Sequence, residues 1–415
     1  MKILILMAIR NLWRHARRTL LTVASIAFGL AVILWLQCIL AGRNKSMIDR
    51  VTSTRTGHLQ VHRQDYLKDK AIQFTFTPAE NLIERLPAGA AAAPRVYLPS
   101  LISSGEQSSS IMLVGIDPVA EQKVTDIAAS TKGSAYLEND PSPDCTTRQI
   151  LIGKSLATFL HADIGAKLVI MTQAADGTLG NDLFRVKGIY ESGSPDMDKS
   201  VAYAPINCAA KVGALQGIHE LAIHLPDPRA LDAVRASLSS ALPPPPAPPM
   251  SVSTWKEAMP SLASIISLND SVLMMISVVL FIVIAMGIVN VLLIGVFERT
   301  REFGVMIALG TTPNQLRSVI LVESFVLAIA ATVLGTTLGL LLVAYHGHYG
   351  FDLSPFIGER TTVDNFKLDF LIFPIVEIRP YLKSVMATLF FVLTAGVYPA
   401  FRASRLNPID AMRAT

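Results

Sequence analysis

The chain has 415 residues, 51% of them hydrophobic and 16% charged, with a net charge of +4 and a mean hydropathy of +0.45. A charged fraction well below the roughly 25% of soluble domains argues against a soluble protein, and the apolar content excludes intrinsic disorder. Three cysteines exclude a disulfide-knit scaffold, and a net charge of +4 is too small by itself to suggest a nucleic-acid binder.

Taken in order, residues 1–18 come first. Ile9, Leu12, Trp13 and Ala16 recur at helical spacing, with Arg10, Arg14 and Arg17 on another face. The pattern predicts an amphipathic helix lying on an anionic membrane surface. Residues 19–42 carry no charge and are long enough to cross a bilayer, which needs about 20 apolar residues. The run exceeds a secretory signal core, and Arg43 stands where a lipoprotein signal would need Cys, so it is expected to be an uncleaved first span.

Residues 43–253 have the composition of a folded domain. Strands are expected over 57–62, 110–115, 167–172, 184–190 and 201–205, and helices over 154–161 and 229–242. The expectation is an α+β domain in two lobes, with the tract 243–249 as an extended proline linker. Cys145 and Cys208 both lie here and are candidates for a disulfide, although spacing alone does not bring them together. His58 and His62 could share a strand face as metal ligands, but two ligands without a carboxylate or cysteine cluster favour a surface pair, and no metal is expected. Gly153-Lys154-Ser155 ends like a phosphate loop, yet Arg148 stands where that motif needs glycine. No nucleophile elbow or zinc motif is present, so the chain reads as non-catalytic.

A stalk helix is expected over 254–270, then a second span over 271–297, a loop helix over 298–312, a third span over 313–345, a loop over 346–383, a fourth span over 384–401 and a tail over 402–415. Positive charge gathers in the first 18 residues, the 298–317 loop and the tail, which puts those segments in the cytoplasm. The expected fold is therefore membrane α-helical, with four transmembrane helices and both termini inside, plus a large α+β extracytoplasmic domain. Asn290 and Glu323 are polar positions inside spans, and such groups usually face protein; for Glu323 an ion pair near the cytoplasmic surface, with an arginine of the N-terminal helix, is expected. Ser25 with Gly29, and Gly335 with Gly339, are small-residue pairs that allow close helix packing, within the protomer or across a dimer.

The stretch 290–323 is the most informative. Phe303, Met306 and Ile307 are expected to form an apolar stripe along the bilayer surface, beside Glu298, Arg299, Arg301 and Glu302; Gly310 suits a left-handed cap, and Thr312-Pro313-Asn314-Gln315 starts a new helix. A short, stiff, charged helix is expected across the cytoplasmic mouth. The run Glu298-Arg299-Thr300-Arg301-Glu302-Phe303-Gly304 and Met306 through Ala308-Leu309-Gly310 resembles the coupling helix of MacB/FtsX/LolCE-type ABC transporter permeases. Arg10-Asn11-Leu12-Trp13-Arg14 and Tyr398-Pro399-Ala400 with Asn407-Pro408 resemble the family's two ends, so the likeness covers the whole chain. It implies a mechanotransmitting subunit of the bacterial inner membrane that binds no cofactor itself, ATP and Mg belonging to a cytoplasmic ABC ATPase partner. It also implies a second permease protomer, identical or not, membrane lipid around the spans, and lipoprotein cargo or a periplasmic adaptor outside. Among branches the lipoprotein-releasing type is the leading expectation; export of a peptide, drug or toxin, and FtsX-like control of a cell-wall hydrolase, are the alternatives.

Overall fold

The computed structural model describes residues 14, 16–78, 80–131, 134–140, 142, 144–242, 249–353, 362–363, 366–367 and 371–405. The amphipathic N-terminal segment up to Trp13, the proline tract 243–248 and the tail from residue 406 lie outside them. The chain divides into two compact units, one built on the long helices and one on residues 46–265.

In the helical unit, α1 (Ala16–Val51), α2 (Pro260–Glu298), α4 (Pro313–Tyr349) and α5 (Ile378–Ala403) are, among the described residues, the four helices long and apolar enough to cross a membrane; α3 (Thr300–Ala308) connects α2 to α4. At 1.5 Å per residue even α5, with its 26 residues, reaches about 39 Å, so the 18-residue apolar window seen in sequence is the middle of a longer helix. All four helices supply the packed centre: Ile26 from α1, Ile288 and Leu292 from α2, Leu327, Ala328 and Ala331 from α4, Val392 and Ala395 from α5. α2 is the least covered, with 11% of its apolar window buried against 44% for α1 and 39% for α4.

The second unit is one nine-stranded mixed sheet. Its strands are β1 (Leu59–Arg63), β2 (Ala91–Ser103), β3 (Ser108–Ile116), β4 (Gln149–Gly153), β5 (Lys167–Gln173), β6 (Leu179–Tyr190), β7 (Val201–Pro205), β8 (Glu220–His224) and β9 (Met250–Thr254). Their order is β3-β7-β4-β6-β5-β2-β8-β1-β9, and β2 pairs back onto β3. Six strands therefore close a ring, and β8, β1 and β9 extend from the first half of β2. Side chains alternate across each strand. One face fills the ring with Val96, Leu98, Leu113, Ile152, Ile170 and Phe184; the other carries a second core of Val114, Ile116, Tyr190 and Tyr203. The two expected lobes are thus a single sheet with a core on each face.

The expected strands and helices of this domain fall on β1, β3, β5, β6, β7, Lys154–Leu160 and Leu231–Ala241. β2 was missed because Pro94 and Pro99 interrupt its pattern. Pro99 fits because β8 pairs with β2 only up to Arg95 and β5 only from Ser100, which leaves residues 96–99 paired on one side, to β3. The expected 254–270 stalk is two pieces. Trp255–Ala258 is a separate turn under a capping box from Thr254 and Glu257, and α2 starts at Pro260 and runs unbroken to Glu298. At the other margin of the domain the five residues Thr52–Thr56 continue α1 as a π-helix, closed by Gly57 at φ +64°, where a Cβ would stand 2.7 Å from the Ile223 carbonyl oxygen.

Candidate functional site: a braced corner between α2 and α4

α3 exists because the sequence stops two long helices around it. Leu309 ends it, and Gly310 follows with φ +94°. Thr312 then caps α4: its hydroxyl accepts from the Gln315 amide and the Gln315 side chain accepts from the Thr312 amide, with Pro313 in the first turn. The corner is thereby fixed at both ends by backbone hydrogen bonding.

Packing fixes its rotation. Phe303 is 1% exposed and sits with Val296, Leu316, Ile320, Ala400 and Ala403, drawn from α2, α4 and α5; Met306 and Ile307 pack against the same cluster. The apolar stripe therefore faces the helical unit, and does not run free along a bilayer surface. Gly304 is buried beside Phe303. Within the run expected to act as the coupling helix, these two residues anchor it to the helical unit. Arg301, Glu302, Val305, Ala308, Leu309 and Gly310 are exposed, Leu309 at 83%.

Ion pairs add the third constraint. Arg18 Nη1 of α1 donates to Glu298 Oε2 at 2.6 Å, and Arg14 Nη1, just ahead of α1, donates to Glu302 Oε1 at 3.1 Å. Arg299 Nε reaches Glu302 Oε2 at 3.1 Å and its Nη1 lies 3.5 Å from Glu323 Oε2 of α4, while its guanidinium covers the Phe303 ring at 4.9 Å. Glu323 is 9% exposed, so Arg299 of the corner supplies charge compensation for a carboxylate inside the helical unit. At the start of α4, Arg317 donates from Nε to Ser404 Oγ at 2.8 Å and stacks over Phe401 at 4.4 Å. The short helix is held by α1, α4 and α5 at once.

The remaining sequence candidates fall elsewhere. A Cβ on Gly335 would stand 2.8 Å from the Ala27 carbonyl oxygen, and one on Gly339 3.3 Å from Leu34 Cβ. That pair lets α4 approach α1 inside the protomer. Gly29 faces Ile284 of α2, while Ser25 is exposed and bonds back to the Leu21 carbonyl at 2.8 Å. Asn290 is exposed on α2. In the domain, Cys145 and Cys208 form a disulfide. Their neighbour Asp140 accepts from the Thr147 amide at 2.9 Å and from the Thr146 and Thr147 hydroxyls, which holds its carboxyl below the ordinary aspartate range. That trio, placed within ligand distance of one another, has its sulfurs committed to each other. The two histidines are not a surface pair: His58 is 5% and His62 2% exposed. His58 Nδ1 accepts from the Leu225 amide and its ring packs on His224, while His62 bonds Ser253 Oγ at 3.0 Å. Burial depresses the His58 imidazole to about 4, so it stays neutral.

Four membrane-length helices, a braced helix at one corner and a large mixed-sheet domain between the first two helices define a multi-pass membrane protein of the transporter-permease class. Comparison with known proteins makes this specific. A model of the MacB-like periplasmic core domain matches residues 19–241, more than half of the chain, and a model of the FtsX-like permease C-terminal region matches 274–408. The chain belongs to this family, the ABC transporter permeases of the LolC/MacB/FtsX type. It is 24% identical to the lipoprotein-releasing system transmembrane protein LolC of Xylella fastidiosa, over 94% of this chain and 92% of that one. It is also 24% identical to the macrolide export ATP-binding/permease protein MacB of Nitrobacter winogradskyi, over 95% of this chain and 58% of that protein. Among solved structures, the extracellular domain of the ABC-type transporter YknZ from Gram-positive bacteria aligns with 48% of this chain and all of its own at 13% identity, with a TM-score of 0.34.

Proposed function

We propose that this permease relays the motion of a separate cytoplasmic ATPase through α3 to the domain between α1 and α2, and that its work is the release of lipoproteins from the inner membrane. The observation that carries the relay is the division of α3 into two faces. Phe303, Gly304 and Arg299 tie it into the helical unit, and Arg301, Val305 and Leu309 are offered outward. A helix joined to three spans cannot yield locally when pushed, so a load on its outer face moves the spans. Positive charge at residues 14–18 and at the corner supports a cytoplasmic location for both termini and α3, with the sheet domain outside. The sparse cover of α2, together with exposed Asn290, supports a second protomer packing there.

Lipoprotein cargo is supported by the match to LolC along nearly the full length of both chains. Export with a periplasmic adaptor is the second reading, supported by the match to MacB. Co-purification of the native complex separates them. Lipid-modified proteins in the mass spectrum support release, and an adaptor without them supports export. Replacing Arg301 or Glu302 with Ala is expected to lower ATPase association or stimulation while the protein still reaches the membrane. Normal activity in both variants would overturn the relay.

A further inference from the structure

The sheet domain holds a cavity of about 560 Å³ that the relay does not use. That size is in the range of small-molecule sites. Its floor is one face of the sheet, because directly paired residues point the same way. Tyr97 of β2, Val114 of β3 and Tyr203 of β7 form one rung of that face, and Pro99, Met112 and Val201 form the next. Arg55, in the π-helical turn that follows α1, joins the lining, as do Tyr66 and Lys70 beyond β1 and Met259 just ahead of α2.

The buried charges of the lining are matched to one another. Arg95 commits its guanidinium to both oxygens of Glu121, at 3.0 and 2.7 Å, to Glu220 at 3.1 Å and to the Arg55 carbonyl, and Glu220 also accepts the Tyr97 hydroxyl at 3.1 Å. That contact holds the backbone of Arg55 at the cavity and leaves its guanidinium uncommitted. Arg55 and Lys70 are exposed, and neither side chain has an ion pair or hydrogen bond among the described residues. Tyr66 and Tyr203 are 4% and 5% exposed, their rings fixed against His219 and Tyr190, yet their hydroxyls have no partner among the described residues and both oxygens keep accessible surface. Burial pushes both phenols above their ordinary range, so each keeps its proton and can donate. The Tyr203 hydroxyl also lies within Coulombic reach of Arg55. Two cations and two phenol donors without an acceptor call for an oxyanion, whose hydrogen bonds to charged donors are the strong ones. Beside them Met112, Val114 and Met259 offer an apolar surface, and methionines adapt to varied shapes. A neutral apolar occupant would leave the donors unmatched, and a bare inorganic anion would leave that surface uncovered.

We propose that this cavity binds a small amphiphilic anion, with its oxyanion head held by Arg55, Lys70 and the Tyr203 hydroxyl and its apolar body seated on Met112, Val114 and Met259. Glu220 does not oppose the head, because Arg95 and Tyr97 already neutralise and satisfy it. Binding requires no ATPase, so its test stands apart from the relay.

The test uses the purified full-length chain in nanodiscs of zwitterionic lipid and the photoreactive phosphate ester 4-benzoylbenzyl phosphate, with adducts mapped by mass spectrometry. Expected adducts lie on the segments carrying Met112, Met197 or Met259 and disappear under excess biphenylmethyl phosphate. At equal free concentration, biphenylmethanol and inorganic phosphate should each compete about tenfold less well, the scale of one lost charged hydrogen bond or one uncovered apolar face. Arg55→Gln and Lys70→Gln should each weaken competition by the ester about tenfold and leave competition by the alcohol unchanged. Both side chains are exposed, so these variants are expected to fold. Met112→Trp should abolish labelling by filling the cavity. Four results would overturn the proposal. Adducts confined to other surfaces would place the ligand elsewhere. Equal competition by the alcohol would make the cavity merely apolar, and equal competition by inorganic phosphate would make it a site for the free anion. Unchanged binding of the ester in the Arg55→Gln, Lys70→Gln double variant would show that both cations are only solvated surface charges.

Discussion

Arg95 shows what one residue can commit. Its side chain is 3% exposed and faces Glu121 at 1% and Glu220 at 6%. Buried carboxylates are tolerable only while the guanidinium satisfies them. Arg95→Met should therefore destabilise the domain by about 3–5 kcal/mol, whereas adding Glu121→Leu and Glu220→Gln should recover most of that loss, because no buried charge then remains. Denaturant unfolding followed by Trp255 fluorescence, with Trp13 and Trp35 changed to Phe, reads both variants; equal instability of the single and triple substitutions would contradict the account. Asp140 sets a pH dependence. The Thr147 amide, with the Thr146 and Thr147 hydroxyls, holds its folded carboxyl below the unfolded value. Stability from this group is full above about pH 4, the ordinary aspartate value, and is lost as the pH falls toward the depressed one. Asp140→Asn should flatten the acid limb of the unfolding curve measured between pH 5 and 3, and an unchanged limb would show that the carboxylate contributes nothing there.

At the scale of the element, the two faces of α3 should separate cleanly in mutants. Phe303→Ala removes a ring buried among α2, α4 and α5 and should cost on the order of 3–5 kcal/mol of local stability, seen as faster hydrogen exchange over 300–308. Leu309→Ala removes a side chain that is 83% exposed, should leave exchange unchanged and should still weaken ATPase stimulation. If Leu309→Ala is silent in both assays, the outer face is not a docking surface. This split also shows what the sequence could and could not tell. The capping box at Thr312–Gln315, the charged run and the turn at Gly310 are local, and local hydrogen bonding makes them legible. The direction of the Phe303 stripe depends on Ala400 and Ala403, about a hundred residues away, and no helical period carries that information. The same holds for Arg299, whose contact with Glu323 across the corner could be suspected only from Glu323 needing a partner.

For the whole molecule, sidedness is the property on which the relay depends, and the chain carries its own reporters. The Cys145–Cys208 bridge closes a loop across 63 residues of sequence, and such bonds persist in oxidising compartments and are rare in the cytosol. Cys38, the one free cysteine, is buried. In intact cells, therefore, the native chain should resist a thiol reagent unless it is first reduced. Against that quiet background Ala120→Cys, in the sheet domain, should react with a membrane-impermeant maleimide from outside. Val305→Cys, 45% exposed on α3, should react only after the cells are opened. The reverse pattern would place α3 outside, beyond reach of any cytoplasmic ATPase, and would leave its outward-facing Arg301 and Leu309 without the partner proposed for them. The bridge supplies an independent check at the same scale. Cys145→Ser with Cys208→Ser should lower the domain's stability by about 2–5 kcal/mol through the freed loop. Because Asp140 and the 145–148 turn pack beside it, the loss should appear as protease cleavage near residue 145 while the membrane helices stay intact.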